Sequence, residues 1–121
     1  MRRILLLLLV LCSLPACDAM SPQEASPYQL LIASADLSPQ TPRLALVLWD
    51  GPEKLTGVQS LDVGLYTVGN EGEIAEKLWE GTATSYQMGD IQYWVAYPDF
   101  PAAGTYGVQA TFKTAEGRIF E

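Results

Sequence analysis

The chain has 121 residues, with 7 basic and 14 acidic side chains and a formal net charge of −7. This length suits one small domain, and the acidity argues against nucleic acid as a partner, because affinity for phosphate backbones comes from clustered Lys and Arg. The sequence contains no histidine, which excludes Ser-His-Asp and Cys-His nucleophiles and every His-containing zinc or copper site. We therefore predict a protein that is not an enzyme and holds no metal or other cofactor.

The chain begins with the pattern of a secretory signal. Arg2 and Arg3 precede an apolar run over residues 4–11, which continues to Pro15. Crossing a bilayer as a helix takes roughly 20 apolar residues, so the run is too short for a membrane span. We predict a signal peptide over residues 1–16.

Residues 14–17 (LPAC) close that run. They resemble the bacterial lipobox, in which a leucine, a variable position and a small residue precede a cysteine. The resemblance implies lipidation of the Cys17 thiol, cleavage just before Cys17, and a lipid anchor on the extracytoplasmic face of a bacterial membrane. Two or more acyl chains give stable anchoring. The alternative is an ordinary secretory signal that is cut after Ala16 or Ala19.

The residues after the cleavage site predict a tether and a domain without disulfides. Residues 17–27 are mostly polar and include two prolines, so they predict a flexible tether. Cys12 is lost with the signal peptide and Cys17 is occupied by lipid. Because the sequence has only these two cysteines, none remains for a disulfide in the domain.

Residues 28–121 fall into short apolar runs that Gly, Pro, Asn and Asp separate at even spacing. This pattern predicts an all-β, antiparallel sandwich of about seven strands. The predicted strands cover residues 28–34, 43–49, 60–68, 73–79, 82–88, 91–97, 106–112 and 118–121.

Three of these runs also indicate how the strand is placed or which secondary structure it forms. Residues 43–49 are apolar on both faces after the arginine, which predicts a strand in the middle of a sheet, with one face on the core and the other covered. Residues 60–68 alternate, with Leu61, Val63 and Leu65 on one face. Residues 73–79 also fit one or two helical turns, but a strand is favoured because a turn precedes them.

The stretch from 99 to 112 (DFPAAGTYGVQATF) is the most informative part of the domain. Gly104, followed by Tyr106 at the head of an alternating strand, resembles the tyrosine corner of immunoglobulin-like and fibronectin-type sandwiches. The resemblance implies an immunoglobulin-like fold in which the Tyr106 hydroxyl binds a backbone group upstream while its ring enters the core.

Residues 28–121 as a whole resemble the sandwich modules of bacterial extracytoplasmic lipoproteins, some of which precede a thioredoxin-like redox domain. They are loosely similar to small sandwiches of copper-handling periplasmic proteins, although no set of metal ligands is shared. The last predicted strand, residues 118–121, is short. We expect either a domain that ends on a short strand or a truncated last strand in a piece of a longer protein, and the second is slightly favoured.

Aromatic residues on neighbouring strands offer one candidate binding site. If Trp79, Tyr86 and Trp94 shared an exposed face, they could stack on sugar rings or dock a protein partner. The structural alternative, which the sequence favours, is that they pack in the core or cover the sheet.

We therefore predict a membrane-anchored extracytoplasmic lipoprotein whose immunoglobulin-like domain serves as a non-catalytic binding or spacer module for an unknown protein or glycan partner. Two alternatives remain open: the accessory N-terminal domain of a larger membrane-tethered thioredoxin-like redox protein, and a carbohydrate-binding module.

Overall fold

The computed structural model describes residues 26–34 and 37–121. The predicted signal peptide, Cys17 and most of the predicted tether lie outside these residues. In the described part the chain forms nine strands: β1 (Tyr28–Ile32), β2 (Leu44–Asp50), β3 (Glu53–Lys54), β4 (Ser60–Val68), β5 (Ile74–Thr82), β6 (Thr84–Met88), β7 (Ile91–Ala96), β8 (Tyr106–Lys113) and β9 (Ile119–Phe120). Among these residues there is no helix of the length and apolarity that crossing a bilayer requires.

The strands form two antiparallel sheets that pack face to face. The first has the order β1-β2-β7-β6, and β3 pairs with the end of β2; the second has the order β5-β4-β8-β9. With β3 set aside, this is the A-B-E-D and C′-C-F-G arrangement of an immunoglobulin-like sandwich. The predicted fold class is therefore confirmed, and no cysteine is present between the sheets.

The core lies between the two sheets and is formed mainly by their central strands. Leu44, Leu46 and Leu48 of β2 point inward and are buried, and so are Leu61 and Val63 of β4. Full burial of one such side chain stabilises the fold by about 1.5–3 kcal/mol. The alternation predicted for β4 is confirmed, since every second residue from Leu61 to Leu65 is buried.

Strand β2 lies in the middle of its sheet, as its uninterrupted apolar sequence predicts. It pairs with β1 on one side and with β7 and β3 on the other. Its outward-facing Ala45 and Val47 are also buried, because the cross-strand neighbours Val95 and Leu31 stand beside them. Side chains of the same sheet thus provide the cover that the sequence predicts for this face.

Several predicted boundaries shift in the structure. Strand, rather than helix, is confirmed for β5, but β5 continues through Gly81 to Thr82. The two-residue strand β3 was not predicted, since Glu53 and Lys54 carry no apolar pattern of their own. The last strand, β9, covers only Ile119 and Phe120. The hairpin before it turns at Gly117, whose φ of 83° favours glycine.

The tyrosine corner is present. The Tyr106 hydroxyl donates a hydrogen bond to the Ala102 carbonyl at 2.5 Å, and the Tyr106 ring lies 5.3 Å from the Phe100 ring. Gly104 lies beside that ring, and its φ is not positive. Because a Cβ at this position would have ordinary space, 4.0 Å from the Tyr106 ring, the corner depends on Tyr106 more than on Gly104.

The Gln92 side chain joins the first sheet to the loop that leads into β4. Its amide nitrogen donates to the Val58 carbonyl at 3.0 Å, and its amide oxygen accepts from the Val58 N–H at 3.1 Å. The same nitrogen donates to the Ser85 hydroxyl. A primary amide thus satisfies both backbone groups of a buried loop residue.

Replacing Tyr106 by Phe should lower the free energy of unfolding by about 1 kcal/mol, because a hydroxyl that binds a backbone carbonyl is lost. Urea unfolding followed by tryptophan fluorescence measures this. Tyr97→Phe is the matched control, since the Tyr97 side chain is 58% exposed, and it should leave the midpoint unchanged. Equal midpoints for the two variants would show that the corner hydrogen bond contributes nothing.

Gln92→Ala should cost about 1–3 kcal/mol, because the N–H and C=O of buried Val58 lose their partner. Gln87→Ala on the neighbouring strand removes one exposed hydrogen bond to Gly89 and should cost much less. Chemical unfolding of both variants checks the difference, and a larger loss in Gln87→Ala would contradict it.

Candidate binding surfaces

The three aromatic residues considered as a binding patch lie in different environments. Trp94 is 3% exposed and belongs to the core. Trp79, on β5 in the other sheet, is half-buried and packs against the same core. Tyr86, on the edge strand β6, is 44% exposed. The structure therefore does not bring them together on one exposed face.

The reason is the alternation of side chains along a strand. Ser85 is opposite Trp94, and Tyr86 is opposite Tyr93. Cross-strand partners lie on the same face of a sheet, so Tyr86 and Tyr93 point outward whereas Trp94 points inward. The alternative that the sequence favoured, with tryptophans in the core, describes Trp79 and Trp94 correctly.

A different apolar surface is exposed on the first sheet. We call it the outer sheet face; it consists of the exposed residues Leu31, Tyr86 and Met88, the half-buried residues Ile91 and Tyr93, and Val47, which is buried among them. At the β6 edge of this face the Tyr86 and Tyr93 rings stack with centroids 5.4 Å apart and an interplanar angle of 19°. Met88 is 62% exposed and Leu31 is 51% exposed. Exposed apolar residues that adjoin one another mark interaction sites more often than isolated ones do.

A shallow groove of about 370 Å³ crosses the outer sheet face. Its walls include Val47, Met88 and Tyr93, and Arg43 provides its only charged lining residue. Such a groove can bind an apolar side chain and place an anionic group beside the guanidinium. It holds no pair of carboxylates and no nucleophile that is paired with a base.

The outer sheet face could not be predicted from the sequence because its members come from two pairs of strands, β1–β2 and β6–β7, that are distant in the chain. Tyr86 and Tyr93 could have been paired from the tight Gly89-Asp90 turn between their strands. Leu31 and Val47 join them only through the β1–β2 and β2–β7 pairings, which the sequence does not specify.

Two separate ion pairs lie on the surface of the described residues. The Lys54 ammonium donates to Asp90 at 2.9 Å, and this hydrogen bond holds the pKa of Asp90 below its ordinary value. The Lys77 ammonium donates to Glu80 at 2.7 Å, which raises the pKa of Lys77. Exposed pairs of this kind contribute little to stability. Within residues 26–34 and 37–121, no three acidic side chains are arranged so that they could hold a metal ion.

Comparison of the chain with models of protein families, with curated proteins and with solved structures found no match.

Trp94→Ala should destabilise the domain by about 3–5 kcal/mol, because it removes a large side chain from the core and leaves a cavity. Tyr86→Ala should cost about 1 kcal/mol or less, since this side chain is exposed and mainly stacks on Tyr93. Urea unfolding and near-ultraviolet circular dichroism measure both effects. If Trp94→Ala unfolded at the wild-type midpoint, its placement in the core would be incorrect.

Proposed function

We propose that the chain is a membrane-anchored extracytoplasmic lipoprotein that presents its immunoglobulin-like sandwich as a non-catalytic binding module. The lipobox-like sequence at 14–17, which follows an apolar run too short for a membrane span, supports the anchor. The exposed outer sheet face supports binding. The absence of histidine from the sequence removes the commonest general base and so argues against catalysis.

The position of the first strand suits a domain held away from a membrane. Strand β1 begins at Tyr28, which is 11 positions after Cys17 in the sequence. If the intervening residues were extended at about 3.1 Å each, they would separate lipid and domain by roughly 30 Å. That distance leaves the outer sheet face clear of lipid headgroups and accessible to a partner.

The carbohydrate-binding alternative loses the feature on which it relied. Sugar recognition by Trp79, Tyr86 and Trp94 requires a shared exposed platform, and the structure places Trp94 in the core instead. A protein partner fits the outer sheet face better, because aromatic residues, Met and Arg are the types enriched at protein interfaces. No observation on the described residues favours the redox-accessory alternative, which stays a prediction.

The decisive experiment for the anchor compares two cysteine variants. Cys17→Ser in a bacterial host should abolish incorporation of labelled palmitate and leave the uncleaved precursor, because the thiol that receives the lipid is gone. Cys12→Ser lies in the same leader and should be labelled and processed like the wild type. Gel fluorography and intact-mass measurement give both readouts. Normal labelling of Cys17→Ser, or loss of labelling in Cys12→Ser, would refute the assignment.

A further inference from the structure

Strand β6 lies at one edge of the first sheet. It pairs with β7 on one side, and in the part of the chain that the structure describes no strand pairs with its other side. All five residues of Thr84–Met88 are exposed. Strands β1 and β9 lie at the far edges of the two sheets, where the Tyr28 and Phe120 rings meet. The free side of β6 is therefore remote from both the first and the last strand of the described chain.

The free side of β6 presents the backbone groups of Ser85 and Gln87. A two-residue turn, residues 89–90, joins β6 to β7. The residues that flank a two-residue turn form a hydrogen-bonded pair, and hydrogen-bonded and non-hydrogen-bonded pairs alternate from there. The even-numbered residues of β6 therefore direct their N–H and C=O groups to β7. Those of Ser85 and Gln87 point to the free side.

The edge strand of the second sheet is protected against pairing, whereas β6 is not. Strand β5 carries Glu76, Lys77 and Glu80 on its exposed surface, and its register shifts twice against β4. Charges and bulges are the usual means by which sheet edges avoid adding another strand. Strand β6 (TSYQM) contains no charge and no proline, and its register against β7 is continuous. This edge is therefore suited to the addition of a strand.

The inward-facing side chains of β6 complement those of a second β6. When two copies meet antiparallel about a two-fold axis at Tyr86, Ser85 of each copy lies opposite Gln87 of the other, and these two residues exchange their outward backbone hydrogen bonds. The Ser85 hydroxyl already accepts from Gln92, so its O–H is the group left to donate. The Gln87 amide nitrogen already donates to Gly89, so its amide oxygen is left to accept. A donor thus faces an acceptor.

The outward-facing side chains match in the same register. Tyr86 lies opposite the Tyr86 of the other copy in a non-hydrogen-bonded pair, in which cross-strand side chains are closest. The Tyr86–Tyr93 stacks of the two copies then join into one row of aromatic rings. Met88, which is 62% exposed, lies opposite Thr84 and loses part of its contact with water. Although each chain carries a net charge of −7, no like charges meet along this edge, because β6 bears none.

We propose that two copies of the chain associate edge to edge through β6, antiparallel and with Tyr86 on the two-fold axis, so that their first sheets form one continuous sheet. A two-fold contact uses the same surface on both copies. The polar pair, the aromatic pair and the absence of charge each match themselves in β6, which is why a second copy is the occupant. The inference goes beyond the proposed function, since it places two outer sheet faces side by side, and it does not depend on the anchor.

Cysteine substitutions in the full-length protein test the register. Opposite residues of a non-hydrogen-bonded pair have Cα atoms about 4.5 Å apart, which suits a disulfide. Mild oxidation of Tyr86→Cys should therefore link two copies. Met88→Cys alone should not be linked, because its two copies would lie about 14 Å apart along the strands, whereas a mixture of Thr84→Cys and Met88→Cys should be. Mass spectrometry of the linked peptides identifies the joined positions and separates them from any disulfide through Cys17.

Analytical ultracentrifugation of the full-length protein in density-matched detergent measures the association itself. We expect monomers that convert to dimers as the concentration rises to about 0.1 mM, since a contact of one strand pair is small. Gln87→Pro removes an N–H from the free side but none from the β6–β7 ladder, and it should weaken dimerisation at least about 10-fold. Gln87→Ala keeps this N–H and should weaken dimerisation less than about 3-fold. All three proteins carry the same leader, so the sharing of micelles affects them equally.

Amide hydrogen exchange separates the other occupants of this edge. The amides of Ser85 and Gln87 should become protected as the concentration rises. A protein that stays monomeric with these amides protected would have its edge covered by its own chain, and one that stays monomeric with them unprotected would not bind a second copy; either result would overturn the proposal. Equal linking of Tyr86→Cys and Met88→Cys would do the same, and this comparison needs no proline, so a folding defect in Gln87→Pro does not decide the outcome. Cys17 labelling is measured independently, so the lipoprotein proposal stands or fails separately.

Discussion

Leu44, Leu46 and Leu48 of β2 face the second sheet and meet Leu61, Val63, Ala110 and Phe112 in one core. The sequence contains only two cysteines, both in its first 17 residues, so no disulfide joins residues 28–121 and this apolar contact is the main one between the sheets. The β1–β2, β2–β7 and β4–β8 pairings show no register shift, because the inward side chains fix the register: a slip by one residue would turn every leucine outward. Two loops that run from the first sheet to the second are stabilised by side chains. The Tyr106 hydroxyl binds the loop between β7 and β8, and the Gln92 amide binds the loop between β3 and β4.

The apolar character of the core-forming strands also explains the outer sheet face. A strand such as β2, which is apolar on both faces, gives its sheet an apolar outer side, and that side is exposed where Tyr86 and Met88 border it. Among the described residues, β9 pairs only with Phe112 and Lys113 of β8, and core-facing Val108 and Ala110 line a groove.

The sequence predicted the fold well because its signals were local. The alternation of Leu61, Val63 and Leu65 and the bond from the Tyr106 hydroxyl to the backbone each depend on a few adjacent residues, and the structure contains both. The outer sheet face was harder to predict from the sequence because it depends on which strands pair. Trp94 and Tyr93 are adjacent in sequence yet belong to opposite faces, and an aromatic run gives no indication of which residue points inward. The extent of β9 against β8 also depends on pairing, since residues 118–121 (RIFE) would read as a strand in any register.

Tyr28 contacts both sheets. Its backbone pairs with Asp50 in the first sheet, while its ring lies 5.2 Å from Phe112 and 4.6 Å from Phe120 of the second. It also stands where the tether would enter the domain. In a protein anchored as proposed, a partner pulling away from the membrane would apply mechanical tension at this residue. The tension would be divided between the β1–β2 ladder and the aromatic cluster, so the domain would have to break contacts in both sheets before β1 could be peeled away.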